Sequence, residues 1–141
     1  MSSQLETAAA PVVRRTLPAS PIFAFLGFAA ADVIIKFGGF HRLYETVRRW
    51  PVSKKKSADA EQINAVIAAV DRAGRYYPKH ALCLQRSAVG TCLLRMAGAP
   101  AQMVMGCRKI PFRGHAWVEV NGEVVNDKPN VQTHFRVLDR C

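Results

Sequence analysis

The chain has 141 residues, half of them hydrophobic, which fits one modest domain with its own core and argues against two domains. Its net charge of +10 would attract an acidic peptide, a partner protein, nucleic acid or an anionic membrane, and charge alone does not choose among them. The four cysteines show no C-x-x-C spacing and no cleavable signal opens the chain, so we expect a reducing, cytoplasmic location.

The N-terminal part is predicted to consist of a tail followed by helices. Residues 1–20 are rich in Ala, Ser, Thr and Pro and show no periodicity, which predicts a flexible tail. Residues 21–57 are predicted to form a helical region that ends in a basic connector. Within it we expect helices at about 22–37 and 40–50, separated by a Gly-Gly break.

The stretch "PIFAFLGFAAADVII" in this region is the nearest approach to a membrane segment. It is too short to span a bilayer comfortably, and Asp32 interrupts its apolar character, so we expect a core helix. The basic run "RRWPVSKKK" that follows is interpreted as a solvated linker, and no membrane contact is expected. Docking of this region on an anionic membrane surface is the alternative that the pattern leaves open.

Residues 58–141 are predicted to form the main core, which begins with further helices. Asp59 and Gln62 have the spacing of a capping box, and apolar residues continue at helical spacing to about Gly74. The segment "RYYPKHA" is predicted to be a loop, because Pro78 disfavours helix at the residue before it. The stretch "CLQRSAVGTCLLRMAG" carries an apolar stripe and ends at glycine, which predicts a buried helix.

Strand patterns occupy the C-terminal third. "AQMVMGCRK" alternates like a strand, "IPFRG" predicts a loop, and "FRVLD" predicts a last strand. Between them, Asn121-Gly122 lies among alternating apolar residues, and this is a strong hairpin signal because both residues tolerate positive φ. Helices first and a small antiparallel sheet last predict an α+β domain.

The register of this hairpin decides whether His115 and Asp127 meet. A two-residue loop pairs Val120 with Glu123 and sends His115 and Asp127 to different faces of the sheet. A three-residue loop pairs Glu119 with Glu123 and places His115 opposite Asp127. The sequence permits both registers, and we expect the second because it pairs an imidazole with a carboxylate beside Trp117.

A cysteine at the start of the second core helix completes a possible catalytic set. Unpaired backbone N–H groups and the helix dipole favour a thiolate at Cys83. Gly90, on the same helix face, weakens the helix and therefore suggests that a strand packs closely there. If that strand carries His115, then Cys83, His115 and Asp127 supply the nucleophile, the base and the group that orients the base.

The segments "LCLQRSAVGTCLLRMAG", "AQMVMGC" and "HAWVEVNGEVVND" resemble the transglutaminase-like domain of the B proteins of lasso-peptide biosynthesis, in particular their stand-alone peptidase half. The resemblance runs from about Asp59 to Asp139, and Cys83 and His115 are its most specific anchors. It implies a transglutaminase-like or papain-like cysteine protease fold, in which Asp127 takes the third catalytic position.

The resemblance also implies a function and partners. The implied activity is a cysteine peptidase that removes the leader from a ribosomally made lasso-peptide precursor, so that a macrolactam cyclase can close the ring. It further implies a separate winged-helix protein that recognises the leader. No cofactor, no metal and no nucleic-acid partner is expected, since neither zinc-ligand spacing nor an RNA-binding or DNA-reading motif is present.

Other interpretations remain beside this one. A transglutaminase-like acyltransferase would use the same residues with an amine as acceptor, and a non-catalytic basic module for nucleic acid or a membrane surface is the alternative of another class. Gln85 is a candidate second oxyanion donor by residue type only, and an ordinary first-turn residue is preferred. Of the remaining cysteines, Cys92 and Cys107 are expected in the core, and Cys141 is expected to be exposed.

Overall fold

The structure is a computed structural model that describes residues 19–78 and 83–141. The predicted flexible tail at 1–20 lies outside the described residues except for its last two positions, and so does the end of the predicted "RYYPKHA" loop. The elements in chain order are α1 Pro21–Arg49, α2 Ala60–Tyr76, α3 Cys83–Met96, β1 Ala101–Lys109, β2 Phe112–Val120, β3 Glu123–Val124, α4 Val131–His134 and β4 Arg136–Arg140.

Helix α1 is kinked at the predicted glycine break. Gly39 has non-helical backbone angles, φ 70° and ψ −175°, so the helix consists of one segment on each side of it. The positive φ is favourable for glycine and costly for residues with a side chain. Both segments contribute to the same core, through Phe28 before the kink and Leu43 and Val47 after it. The N-terminal helical region is therefore packed into one core with α3 and the sheet.

Helix α2 begins with the predicted capping box. The Gln62 N–H donates to Asp59 Oδ1 at 2.8 Å, and the Asp59 N–H donates to Gln62 Oε1 at 3.1 Å. These bonds satisfy backbone donors that the first helical turn leaves unpaired. The helix ends at Tyr76, so it extends two residues beyond the predicted end at Gly74 and includes the start of the predicted loop. Tyr77 is extended before Pro78, as predicted. The local sequence thus fixes both ends of α2.

Helix α3 is central and is buried on nearly every side. Gly98 caps the C-terminal end of the helix, because it has a φ of 94° and donates its N–H to the Arg95 carbonyl at 3.1 Å. A Cβ at position 98 would also collide with the carbonyl of Lys56 in the basic connector. Gly90 differs, because a Cβ there would meet Val118 of β2 at an ordinary 3.7 Å. Strand β2, which carries His115, therefore lies against Gly90 as expected, at a distance that leaves room for a methyl group.

The buried side chain of Arg95 joins α3 to α1 and the sheet. Its guanidinium donates to the carbonyls of Val47 and, at 3.1 Å, Trp50, both at the C-terminal end of α1. Its Nε donates to the Ala101 carbonyl at the start of β1, at 2.8 Å. The C-terminal end of a helix carries partial negative charge and unpaired carbonyls, so the Arg95 guanidinium is stabilised there. Arg95 therefore sets the distance between α1, α3 and β1.

The sheet has four antiparallel strands in the order β3-β2-β1-β4, and the fold is the predicted α+β. One face, with Met103 and Val118, packs against the helices. The other face carries Val104 and Trp117, which form a second small cluster with Val131 of α4. The sheet thus separates the helical core from a smaller cluster made by the C-terminal segment.

Several predicted details are corrected by the structure. The "IPFRG" loop is confined to Ile110 and Pro111, because β1 and β2 pair as far as Lys109 with Phe112. The short helix α4 had no sequence signal. Cys141 was expected to be exposed but is buried, since its backbone exchanges two hydrogen bonds with Met103, of 2.8 and 2.9 Å. Pairing with the inner strand β1 thus draws this residue into the core.

Two glycine-to-alanine variants of the α3 region test the account of this helix. Gly90→Ala should stabilise the protein by up to about 1 kcal/mol, because alanine is the better helix former and the space admits a methyl group. Gly98→Ala should destabilise it by about 2 kcal/mol or more, because the positive φ and the Lys56 carbonyl both oppose a side chain. Urea unfolding measures the free energy of unfolding of both variants. Equal changes in the two variants would contradict the different roles given to Gly90 and Gly98.

Candidate active site

The β2–β3 hairpin adopts the two-residue turn. Asn121 and Gly122 have φ values of 52° and 81°, and the register pairs Val120 with Glu123. The expected three-residue loop, with Glu119 opposite Glu123, was therefore wrong. A turn with positive φ at both central residues matches the right-handed twist of the strands, and Asn-Gly is its preferred sequence. A regular continuation of this register would have kept His115 and Asp127 apart.

The two residues meet because the strand pairing is cut short. The Val125 N–H still donates to the Val118 carbonyl at 3.0 Å, but the Val118 N–H donates to the side-chain Oδ1 of Asn126 at 2.7 Å instead of to a backbone carbonyl. The chain therefore bends away from the ladder after Val125. The same Asn126 side chain donates to Ser87 Oγ on α3 at 3.4 Å. Asn126 thus fixes the loop that carries Asp127 to both the sheet and α3.

His115 and Asp127 form a direct pair at the end of this bend. His115 Nε2 lies 2.5 Å from Asp127 Oδ2, and the two side chains are 23% and 27% exposed. The other carboxylate oxygen accepts the Lys128 N–H at 2.7 Å, which orients the carboxylate. With Nε2–H donating to Asp127, the neutral imidazole presents Nδ1 as its basic nitrogen. The pair therefore has a base and a group that fixes the tautomer of the base.

Aromatic rings hold the imidazole in place. The His115 ring lies 5.1 Å from the Phe135 ring and 6.0 Å from the Trp117 ring, measured between centroids. The Trp117 ring lies over Gly106 of β1, where a Cβ would approach the indole to 2.8 Å. Trp117 is fully buried, so its indole is fixed beside the pair. The imidazole thus has little freedom to rotate away from Asp127.

Cys83 is the first residue of α3 and faces the same cavity as the pair. In the part of the chain that the structure describes, no hydrogen bond joins its sulfur to His115. The first helical turn leaves its N–H groups without intrahelical partners. The cavity has a volume of about 240 Å³ and is lined by Ile67, Val70, Asp71, Cys83, Arg86, His115, Ala116, Asn126 and Asp127. The structure thus brings all three predicted residues to one cavity.

The residues that follow Cys83 take different positions. Gln85 is buried and its amide donates to Asp32 of α1, which also accepts the Tyr77 hydroxyl at 2.5 Å. Gln85 therefore belongs to the packing of α1 on α3 and is absent from the described lining of the cavity. Arg86 lines the cavity and packs over Gly74, whereas Ser87 is fully buried and accepts from Asn126.

Sequence reasoning missed a buried carboxylate behind this site. Glu119 is only 2% exposed and accepts from Trp117 Nε1 at 2.9 Å, Gln132 Nε2 at 2.6 Å and Arg140 Nη1 at 2.9 Å. Buried carboxylates require such donors. Its alternation with Trp117 in "HAWVEV" was the available signal, because that spacing puts both residues on one sheet face. The network fixes Trp117, and through it the wall beside His115.

The other cysteines differ from Cys83 in their surroundings. Cys92 packs against the core as predicted, and burial raises the pKa of its thiol to about 12. Burial likewise raises the pKa of the Cys141 thiol to about 11. Cys107 is half-buried and belongs to neither buried cluster of the described residues. Desolvation disfavours a charged thiolate, so Cys92 and Cys141 remain protonated near neutral pH.

Comparisons of the sequence with known proteins place the chain among its relatives. The sequence model of the transglutaminase-like superfamily matches residues 28–140, well over half of the chain. The microcin J25-processing protein McjB of Escherichia coli is 39% identical over 56 residues, which are 40% of this chain and 27% of that protein. The match thus spans little more than a quarter of that relative. No solved structure gives a significant match.

Thiol alkylation should separate the cysteines. In a Cys107→Ser background near neutral pH, iodoacetamide should modify Cys83 first, because its sulfur lines an open cavity. Cys92 and Cys141 should stay unmodified until the protein unfolds, because burial raises their pKa to about 12 and about 11. Peptide mass spectrometry gives the site of modification. Equal rates at Cys83 and Cys92 in folded protein would contradict the assignment.

Substitution of Asn126 should loosen the loop that carries Asp127. Asn126→Ala leaves the Val118 N–H without an acceptor and should cost about 1–3 kcal/mol in the free energy of unfolding. Hydrogen exchange of the Val118 amide should accelerate in the same variant. Asn126→Asp is the control, because it keeps the acceptor oxygen and should lose less stability. An unchanged exchange rate in Asn126→Ala would show that this bond does not end the ladder.

Proposed function

Because this chain belongs to the transglutaminase-like superfamily, we propose that it is a cysteine peptidase that removes the leader from a lasso-peptide precursor. The observation that carries the proposal is the His115–Asp127 pair on the same cavity as Cys83. The partial similarity to a microcin J25-processing protein supports the class of substrate. The proposal places the protein in the cytoplasm, where the thiol stays reduced.

The first step is the attack of Cys83 on the scissile carbonyl. His115 Nδ1 takes the thiol proton, and the sulfur forms a bond to the carbonyl carbon. The tetrahedral intermediate then collapses, the C–N bond to the core peptide breaks, and the imidazolium gives its proton to the departing amine. The leader remains attached to Cys83 as a thioester. For this step the imidazole must present one nitrogen with a lone pair. Because Nε2 donates its hydrogen to Asp127, that nitrogen is Nδ1.

The second step hydrolyses the thioester. Water enters the place left by the amine, and His115 takes a proton from it as the new C–O bond forms. The C–S bond then breaks, the imidazolium returns its proton to the Cys83 sulfur, and the leader leaves as a carboxylic acid. Asp127 accepts the hydrogen bond from His115 Nε2 throughout, which holds the tautomer and stabilises the imidazolium. The Cys83 backbone N–H, at the start of α3, is the proposed donor to the developing oxyanion. No metal or organic cofactor enters the scheme.

Leader recognition is assigned to a separate winged-helix protein, and the product passes to the macrolactam cyclase. The cavity of about 240 Å³ accommodates the residues around the cut and little more, so the affinity for a whole leader has to come from elsewhere. A transglutaminase-like acyltransferase would follow the same first step and differ only in the acceptor. A small primary amine added to the reaction distinguishes the two. An acyltransferase would join this amine to the new C-terminus of the leader, whereas a peptidase would release the leader as a free acid.

Variants of the three residues should lose activity unequally. Cys83→Ala should abolish leader removal, and His115→Ala should reduce it about 10³-fold or more, because the base and the acid are lost together. Asp127→Ala should be milder, about 10²-fold, because it acts through His115. Cleavage of the precursor in the presence of its leader-recognition protein is followed by mass spectrometry.

Matched cysteine variants provide the control for this series. Cys92→Ala and Cys107→Ala remove thiols that lie outside the cavity and should leave the cleavage rate within about twofold once folding is verified. All the variants should still bind the leader-bound recognition protein. Normal cleavage by Cys83→Ala, together with loss of cleavage in Cys107→Ala, would refute the assignment of the nucleophile.

A further inference from the structure

The N-terminal half of α1 presents an apolar stripe to the outside of the molecule. Ile22, Leu26, Val33 and Phe37 recur at helical spacing and are 72%, 58%, 54% and 80% exposed. We call these four residues the apolar stripe. Single exposed apolar residues are ordinary on protein surfaces, but a contiguous stripe along four turns marks a surface that binds something apolar.

The opposite face of the same helix is fixed inside the fold. Ala24, Phe28 and Ala31 are buried in the main core. Asp32 accepts the Tyr77 hydroxyl at 2.5 Å and the Gln85 amide. Helix α1 is long and apolar enough to cross a bilayer, but crossing would tear these contacts apart and carry Asp32 into hydrocarbon. The stripe can therefore meet a membrane only with the helix lying along its surface.

The segment that carries the stripe, residues 21–57, is strongly basic. The segment 21–57 has two acidic residues, and both are engaged: Asp32 inside the fold, and Glu45 with Arg48 at 2.9 Å and Arg49 at 3.4 Å. Its basic residues are all exposed. They are Lys36, Arg42, Arg48, Arg49, Lys54, Lys55 and Lys56.

An apolar cavity opens beside the stripe. It has a volume of about 300 Å³, lies between the two segments of α1 and helix α3, and shares Leu26 with the stripe. Trp50, which is 37% exposed, contributes to its lining at the end of α1. Tryptophan is favoured where apolar and polar surroundings meet, as at the level of lipid headgroups. The apolar surface thus continues from the stripe toward the basic connector.

We propose that the apolar stripe docks this protein on an anionic lipid bilayer, with α1 in the plane of the interface. Apolar side chains enter the boundary between headgroups and acyl chains, and the basic residues contact anionic headgroups. A second copy of the chain is a poorer occupant, because a symmetric interface would bring two basic surfaces together. The segment 1–18 also fits poorly, since it carries Arg14 and Arg15 against a single Glu6.

Vesicle flotation with the full chain tests the proposal. The protein should float with vesicles that contain about a third phosphatidylglycerol and bind pure phosphatidylcholine at least about tenfold less. Raising the ionic strength from about 0.05 to about 0.5 M should weaken binding to the anionic vesicles. The double variant Leu26→Ser with Val33→Ser should lose at least about tenfold in affinity, with an unchanged unfolding midpoint because both side chains are exposed.

Control variants separate the effect of the apolar stripe from the effects of non-specific apolar binding and of net charge. Ile110→Ser with Leu138→Ser removes equally exposed apolar side chains elsewhere, at 90% and 64% exposure, and should bind the anionic vesicles like the unmodified chain. Lys54→Glu with Lys55→Glu should weaken vesicle binding severalfold more than Lys109→Glu, after correction for the number of charges changed.

Two results would overturn the proposal. One is a failure of the unmodified chain to float with anionic vesicles at low ionic strength. The other is an equal loss of binding in the stripe and control double variants. Sedimentation velocity completes the test: a wild-type dimer that the stripe variant converts to monomer, together with no vesicle binding, would show that the stripe is a protein interface.

Discussion

The bond from the Val118 N–H to the Asn126 side chain is the constraint on which the arrangement of the cavity depends. A strand pair in the two-residue register puts Asp127 on the wrong face for His115, and only a break in the ladder lets the chain bring it round. The Asn126 amide makes that break without leaving a donor unpaired, and it links the same loop to Ser87 on α3. The strand of His115, the loop of Asp127 and the helix of Cys83 thereby share one anchor.

Much of the fold could be predicted because its signals are local. The capping box of Asp59 and Gln62, the kink at Gly39 and the turn at Asn121-Gly122 each depend on residues within a few positions of one another. The three cavity residues could be named because Cys83 begins α3 and because an imidazole and a carboxylate flank a confident hairpin. The cap, the kink and the turn depend little on contacts with distant residues, so a single sequence is enough to predict them.

The remainder depends on contacts between distant parts of the chain. The predicted register of the β2–β3 hairpin was wrong, because the prediction relied on the faces of the side chains and a shift of one residue reverses every one of them. The Asn126 bond that still allows His115 and Asp127 to meet has no periodic pattern in the sequence. Cys141 is buried by pairing with Met103, and Gln85 faces α1 because Asp32 accepts its amide. The apolar sequence of α1 predicted burial, whereas the structure buries one face and exposes the other.

In the proposed reaction, Cys83 carries the leader as a thioester and water then releases it. Cleavage of the precursor in H₂¹⁸O, with mass analysis of the released leader and of the trapped enzyme, tests both parts at once. We expect one ¹⁸O atom in the new leader carboxylate and, after rapid acid quenching, a leader thioester on the peptide that contains Cys83. A leader without ¹⁸O, or a thioester on the peptide of Cys92 or Cys107, would contradict it.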